Sequence, residues 1–404
     1  MAKRIIAIML ILMLTISMAA CGNDSSETSG EKELAQGVSE DNVKIGTVAV
    51  QSGPLSFIGA PYVAGMEAYF KTINKDGGVN GREIELLKKD DEFKPDKSVQ
   101  AIESLIFDEE VFAVVGHLGT PGVVASEEII KEEGIPSVYF GSGAASLTEA
   151  GENFFPVQPN YLYEGKLMSK FAVEEFNAED VVVIYQNDDV GNDGLEGFKT
   201  GLDELDKKDI LKAEIPFGAS DTDFTVPIQK AKEQDPDLII IYGLSTGAAG
   251  ILKNMENAGM TDVDSLTTYS NADASFLEVA APAAEKAIKN LHVMGWLEVT
   301  EESLQPLMDA MKEYYPDTPI NSYTMAGWVA GETFVAGLKK AEDNLSWDGY
   351  IEAMNGLNYT EGLASEISYS EGEREGVTQM AVSEVVEENG SYQFKQMTDF
   401  MEFK

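Results

Sequence analysis

One cysteine, two histidines and a shortage of bases are the scarcities of this 404-residue chain, and each excludes a class of chemistry. A single thiol, Cys21, cannot close an intrachain disulfide, so the fold must hold by burial and hydrogen bonding. With only His117 and His292 beside that thiol, no zinc or iron centre is expected, because such sites draw on several imidazoles and thiolates. Lysine and arginine total 29 against 70 aspartates and glutamates, a formal charge of −41. That balance argues against nucleic acid and against adsorption to anionic lipid. The acids are scattered and read as a solvated surface. Nothing calls for a cofactor. Beyond the first residues no apolar run is long enough to span a bilayer, which takes about 20 residues.

What is present begins with Lys3 and Arg4, an uncharged run over 5–18, and Ala19-Ala20-Cys21-Gly22. A basic start, a short apolar core and small residues before the break make residues 1–20 a secretory signal. A lone thiol after two alanines at that break resembles a bacterial lipobox, with Met18 where leucine is usual. The resemblance implies that Cys21 carries lipid and anchors the chain on the outer face of the cell membrane. From residue 22 to about residue 40 almost nothing is apolar, so 21–42 reads as a lipidated flexible tether. The remaining stretch of roughly 360 residues exceeds one ordinary core and suits two domains.

Strand-like and helix-like segments alternate from Val43 onward. The first series reads strand 43–50, helix 61–73, strand 84–89, helix 95–107, strand 111–115, helix 123–133 and strand 135–140. The second reads helix 162–176, strand 181–185, helix 195–205, strand 210–215, helix 224–233, strand 238–242, helix 248–258 and strand 266–269. Late helices over 305–315 and 323–341 precede strand-like pieces at 378–386 and 392–396. Short links rich in glycine, proline and aspartate give the pattern of a parallel, doubly wound sheet, twice over. The expected fold class is therefore α/β, with two Rossmann-like lobes. Ligands of such sheets sit beyond the carboxyl ends of the strands.

Three loops of the first series leave strands at that end: Gln51-Ser52-Gly53-Pro54, Gly116-His117-Leu118-Gly119-Thr120-Pro121-Gly122 and Gly141-Ser142-Gly143-Ala144-Ala145. Each joins glycine to a hydroxyl, so backbone amides and side-chain oxygens can converge on an anion. Glycines needed only for tight turns explain any one loop, but less well three on one rim. The spacing G-x-x-G-x-x-G without a following lysine matches neither nucleotide fingerprint, so a carboxylate suits the loop better than a phosphate. Gly243-Leu244-Ser245-Thr246-Gly247 matches the nucleophile elbow G-x-S-x-G, with Asp262, Asp264, Asp273 and then His292 downstream in hydrolase order. His292 lies in an apolar strand-like piece, however, and the elbow falls late in the second series. A plain turn is the reading, and an α/β serine hydrolase using Ser245 is the alternative from another class. Asp90-Asp91-Glu92 reads as a polar cap before Pro95, and not as a metal site.

Several stretches carry a more specific likeness: 48–59 with its Ser-Gly-Pro, Ile73-Asn74-Lys75-Asp76-Gly77-Gly78-Val79-Asn80-Gly81-Arg82, Asp90-Asp91-Glu92-Phe93-Lys94-Pro95 and Val115-Gly116-His117-Leu118. Val190-Gly191-Asn192-Asp193-Gly194 and Ala258-Gly259 follow in order. From about Val43 to its end the chain resembles the branched-chain amino-acid (Leu/Ile/Val) binding proteins of ABC importers, a type I periplasmic-binding fold. The resemblance implies a non-enzymatic clamp, with lobe 1 over 43–157 plus 294–377 and lobe 2 over 158–293 plus 378–404. Three hinge crossings would fall near Val157, His292 and Thr378, and the clamp would deliver a small-molecule ligand to ABC permease transmembrane subunits. It implies that Gly119 and Thr120, then Ser142 and Gly143, hold the ligand carboxylate, with Ser52 on the same rim. Ile58, Val190 and Leu244 stand where relatives have aromatics. The acid for a ligand ammonium falls near Ser270-Asn271, with Asp273 close by. The expected ligand is an aliphatic or aromatic amino acid, and the alternative is an amine-free carboxylate or amide.

Overall fold

The computed structural model describes residues 34–403 apart from 298, 365 and 389. Cys21, the signal over 1–20 and most of the expected tether lie outside the described residues. Strands β1 (Asn42–Val48), β2 (Glu83–Lys89), β3 (Ala113–Leu118), β4 (Ser137–Gly141) and β5 (Phe154–Phe155) form a parallel sheet in the order β2-β1-β3-β4-β5. A second parallel set contains β6 (Val181–Gln186), β7 (Leu211–Phe217), β8 (Leu238–Tyr242), β9 (Asp264–Thr267) and β10 (Leu291–Gly295). The short strands β11 (Asn358–Tyr359), β12 (Ile367–Ser370) and β13 (Glu373–Gly376) make a small antiparallel sheet. Last come β14 (Ala381–Glu388) and β15 (Ser391–Gln396), which extend the second sheet antiparallel beyond β10.

Continuous apolar runs explain the central strands. Val181 to Ile184 and all of β8 are buried on both faces, which only a sheet covered by helices on two sides provides. The chain passes between the two sheets three times, through 156–160, 296–300 and 377–380. Val377 N–H donates to Val157 O at 2.8 Å, tying two of the crossings together. The second crossing comes a few residues after His292, because β10 stays paired with β14 as far as Gly295.

Three local readings are corrected. The body begins before residue 42: Ala35 N–H donates to Leu345 O, and Gln36 Nε2 donates to Ile106 O and Val111 O. Polar composition concealed this, since the segment is held largely through main-chain carbonyls, with only Ala35 and Val38 packing on the core. The first helix runs Ser56–Lys75, so Pro61 lies inside it and not in its first turn. The helix Trp347–Met354 and strands β11–β13 carried too short a pattern to be read, although Trp347 Nε1 fixes the helix to Phe112 O at 2.7 Å.

Candidate functional site

A cavity of about 700 Å³ opens where the carboxyl ends of both sheets face each other. Leu118, Gly119 and Gly141 reach it from the first sheet, and Gln186, Leu244 and Tyr269 from the second. Gln158 and Trp296, from two of the crossings, line it as well.

Gly119 has φ 111°, a conformation that a side chain resists, and a Cβ there would meet the Phe93 ring at 2.7 Å. Its N–H donates to Gly141 O at 3.1 Å, drawing the ends of β3 and β4 together. The helix Thr120–Glu133 starts directly afterwards, with Pro121 in the first turn where a missing N–H costs nothing. Thr120 Oγ1 accepts from Ser142 Oγ at 2.9 Å, which leaves its own hydrogen free to be donated. The Tyr161 hydroxyl lies 3.3 Å from Thr120 Oγ1, and Tyr161 N–H donates to Gly143 O at 2.6 Å. Tyr161 opens the helix Tyr161–Glu174 on the second-lobe side, so its hydroxyl reaches across into the loops of the first. Gly143 is glycine for a steric reason: a Cβ would stand 2.5 Å from the Tyr269 hydroxyl and 2.6 Å from the Tyr161 ring.

Of the expected ligand residues, Ile58, Gly119, Thr120, Val190, Leu244 and Asp273 line the cavity. Ser142 and Gly143 stand immediately behind Thr120 and Tyr161. Ser52 is exposed away from the cavity, its hydroxyl turned to Asp90. Asn271 is fully buried behind the wall, donating Nδ2 to Gly243 O and Thr267 Oγ1. Asp273 caps the helix Ala274–Ala280: Oδ1 accepts from Ser275 N at 2.8 Å, and Oδ2 accepts from Ser322 N at 2.8 Å. It is thus a strut between the lobes. The Asp90–Glu92 acids do not cap the following helix, whose Lys94 cap residue makes no side-chain bond. Asp90 instead accepts from Gln51 N and Glu92 N, Asp91 from Phe93 N, and Glu92 pairs with Lys94 and Lys97.

Sequence reasoning missed the aromatic lining: Tyr62, Phe93, Tyr139, Tyr161, Tyr269, Trp296 and Tyr323. Tyr62 was within reach, since it lies one helical turn after Ile58 on the same face. The hydrolase reading finds no support. Ser245 Oγ donates to the Asn271 amide oxygen, and His292 sits on β10 with Nδ1 3.3 Å from Ser265 O and its ring against Phe176.

Glu164 is fully buried behind Tyr269, accepting from Tyr269 N at 2.7 Å, from Thr268 Oγ1 at 2.8 Å and from the Tyr242 hydroxyl. Burial outweighs these donors and pushes its pKa up to about 7. Glu332, beneath Trp328 Nε1 and Leu363 N, is raised to about 7 for the same reason. Burial lowers His117 to about 3. The two acids bind more protons folded than unfolded, so the stability they contribute is present below about pH 4.5 and lost as pH rises through about 7. His117 acts oppositely, losing stability as pH falls from about 6.5 toward 3. Melting temperature should therefore decline from pH 5 to pH 8, and Glu164→Gln and Glu332→Gln should each flatten that decline. A wild-type profile that rises over the same range would refute the assignment.

The model of the family described as periplasmic binding protein matches residues 42–391. An amino acid binding protein of Pseudomonas aeruginosa is 26% identical over 221 residues, covering 54% of this chain and 59% of that protein. The Leu/Ile/Val-binding protein of Escherichia coli K12 is 22% identical over 319 residues, covering 78% of this chain and 83% of the relative. Among solved structures, a fatty acid ABC transporter substrate-binding protein from Thermomonospora curvata superposes with a TM-score of 0.78 at 20% identity, covering 92% of this chain and 95% of that one.

Proposed function

The chain belongs to the periplasmic binding protein family, and from that premise we propose that it is the extracytoplasmic solute-binding protein of an ABC importer. The observation that carries the reading is the cavity between two lobes, where Thr120 and Tyr161 meet at one end and apolar and aromatic groups such as Ile58, Tyr139, Leu244 and Trp296 share the walls with further polar side chains. Such a site holds a small molecule by one polar end and buries its body. The ligand is a small carboxylate with an aliphatic or aromatic body, and the clamp delivers it to the permease transmembrane subunits. The names of the curated relatives point to amino acids, and that of the Thermomonospora protein to a fatty acid. The carboxylate is common to both. Ser245 donates to the Asn271 amide oxygen, which favours the binding reading over the hydrolase alternative.

Thr120→Val keeps the shape and removes one donor to a charged acceptor. It should weaken ligand binding by about 1.5–3 kcal/mol, roughly 10- to 150-fold, by titration calorimetry. An unchanged dissociation constant would remove Thr120 from the site. The lipid anchor at Cys21 is tested separately: Cys21→Ser should move the protein from the membrane fraction to the soluble one. Retention at wild-type levels would place the anchor elsewhere.

A further inference from the structure

Behind the second-lobe wall of the cleft, one hydroxyl hydrogen stands between two acceptors. Glu164 Oε1 accepts from Tyr269 N, and Oε2 accepts from Thr268 Oγ1 and from the Tyr242 hydroxyl. The same Tyr242 hydroxyl lies 3.0 Å from Tyr161 O. A phenol has a single hydrogen, so it serves Glu164 or Tyr161 O and not both. The state of the acid decides which. An ionised carboxylate only accepts, and it draws the hydrogen to Oε2. A protonated one donates its own O–H to Tyr242 Oη and frees the phenol to turn to Tyr161 O. The added proton comes from solvent and forms its bond at Oε2, while Tyr242 keeps its hydrogen and only rotates.

The residues held in this way belong to the ligand wall. Tyr161 and Tyr269 line the cavity with their rings stacked, centroids 5.9 Å apart. The Tyr269 hydroxyl donates to Pro159 O at 2.9 Å and accepts from Gln158 Nε2 at 3.0 Å, which ties the wall to the first crossing. Thr120 Oγ1, next to the Tyr161 hydroxyl, is where a ligand carboxylate belongs on the solute-binding reading. An ionised Glu164 sets a like charge behind that wall, with little water to screen it. The titratable groups facing it are tyrosines, Tyr161, Tyr242 and Tyr269, each pushed up by burial and neutral at physiological pH. The helix Asp189–Glu204 packs Gly194 and Phe198 against Gly165, while its Asp193 accepts from Ala145 N and its Glu204 pairs with Lys166. Lys170, on the same helix as Glu164, donates to Glu402 O. Among the described residues no cation is bonded to Glu164, and burial already holds it at about 7.

We propose that Glu164 takes up a proton when the clamp closes on a carboxylate ligand, and that Tyr242 carries the change to Tyr161 at the wall. The proposal rests on the solute-binding role and the carboxylate ligand given above. Its test is titration calorimetry on the full-length chain in detergent at pH 6, 7 and 8, in buffers of different ionisation enthalpy. The probes are 4-methylpentanoate, 3-phenylpropanoate, leucine and phenylalanine, whose carboxylates stay ionised throughout. Whichever binds should be held about five- to tenfold more weakly at pH 8 than at pH 6, and should bring about half a proton with it at pH 7. Glu164→Gln should abolish both effects. Glu332→Gln should keep them, because that acid is raised to the same degree but lies outside the cavity lining. Tyr242→Phe removes a donor to the ionised acid, so the fall in affinity should move to higher pH. Wild-type binding without pH dependence or proton uptake would overturn the linkage, and a dependence that survives Glu164→Gln would overturn its assignment. An unmoved profile in Tyr242→Phe would remove the relay. Binding of none of the four probes at any pH would instead defeat the carboxylate reading of the proposed function, and this proposal with it.

Discussion

Asp273→Ala should weaken ligand binding about 10- to 150-fold even though its carboxylate is already committed elsewhere. The substitution removes a helix cap, worth roughly 0.5–2 kcal/mol, and a charge-assisted bond to Ser322 N, worth roughly 1.5–3 kcal/mol. That second bond joins the strand-β9 side of the cleft to the start of the helix Ser322–Ala341, which packs on the first sheet's side. Ser322 Oγ returns a bond to Ala272 O, and Ala145 N–H donates to Asp193 Oδ2 at 2.8 Å across the same divide. These contacts exist only while the lobes are together, so losing one lowers the population of the closed state and the apparent affinity with it. Asp273→Asn separates this from a direct role. An asparagine oxygen still accepts from Ser322 N, so a strut keeps most of its binding, whereas a counter-ion for a ligand ammonium loses as much as in Asp273→Ala. Calorimetry reads the affinity, and fluorescence transfer between labels on the two lobes reads closure. Equal losses in both variants with closure unaffected would return Asp273 to the ligand.

The architecture was legible because β-strand runs such as Val181–Val183 and Leu238–Tyr242 are apolar without interruption and separated by glycine- and aspartate-rich links. The loop around Thr120 was legible for a related reason: Gly119 and Gly143 are each forced by a crowded neighbour, so the glycine pattern records the geometry. The aromatic lining was not. Tyr139, Tyr161, Tyr269 and Trp296 each look like ordinary core or turn residues in the chain, and only the facing of two sheets brings them to one cavity. Asp273 misled because a capping aspartate and a ligand-pairing aspartate are the same residue type, distinguished by where Ser275 and Ser322 stand. Ser52 misled because a hydroxyl at the correct strand end can be captured by a nearby acid, here Asp90. Residues 35–41 misled because their hydrogen bonds to main-chain carbonyls leave no sequence pattern, and Ala35 and Val38 alone are too few apolar residues to show as an element.

Gly327→Val should destabilise the fold by ~3 kcal/mol or more and abolish ligand binding before it unfolds the chain. The helices Ser56–Lys75 and Ser322–Ala341 meet backbone to backbone: a Cβ on Gly327 would stand 1.8 Å from Tyr62 O and 3.1 Å from Met66 N. The contact is reciprocal, since a Cβ on Gly65 would stand 2.0 Å from Thr324 O. Neither obstacle is a side-chain tip that can rotate away, so any added carbon must separate the helices. Overpacking of this kind ordinarily costs about 1–3 kcal/mol, and main-chain obstacles on both sides put this case at or above the top of that range. The functional loss comes from which atom is struck. Tyr62 O belongs to the residue whose ring lines the cavity, and Ile58 lies one turn earlier on the same wall, so parting the helices moves both. Gly295→Ala is the stability control, because its Cβ would find nothing nearer than Ala381 O at 3.9 Å. Thermal unfolding should show a large drop for Gly327→Val and little change for Gly295→Ala. A Gly327→Val protein that melts and binds like wild type would mean that the two helices are not in backbone contact.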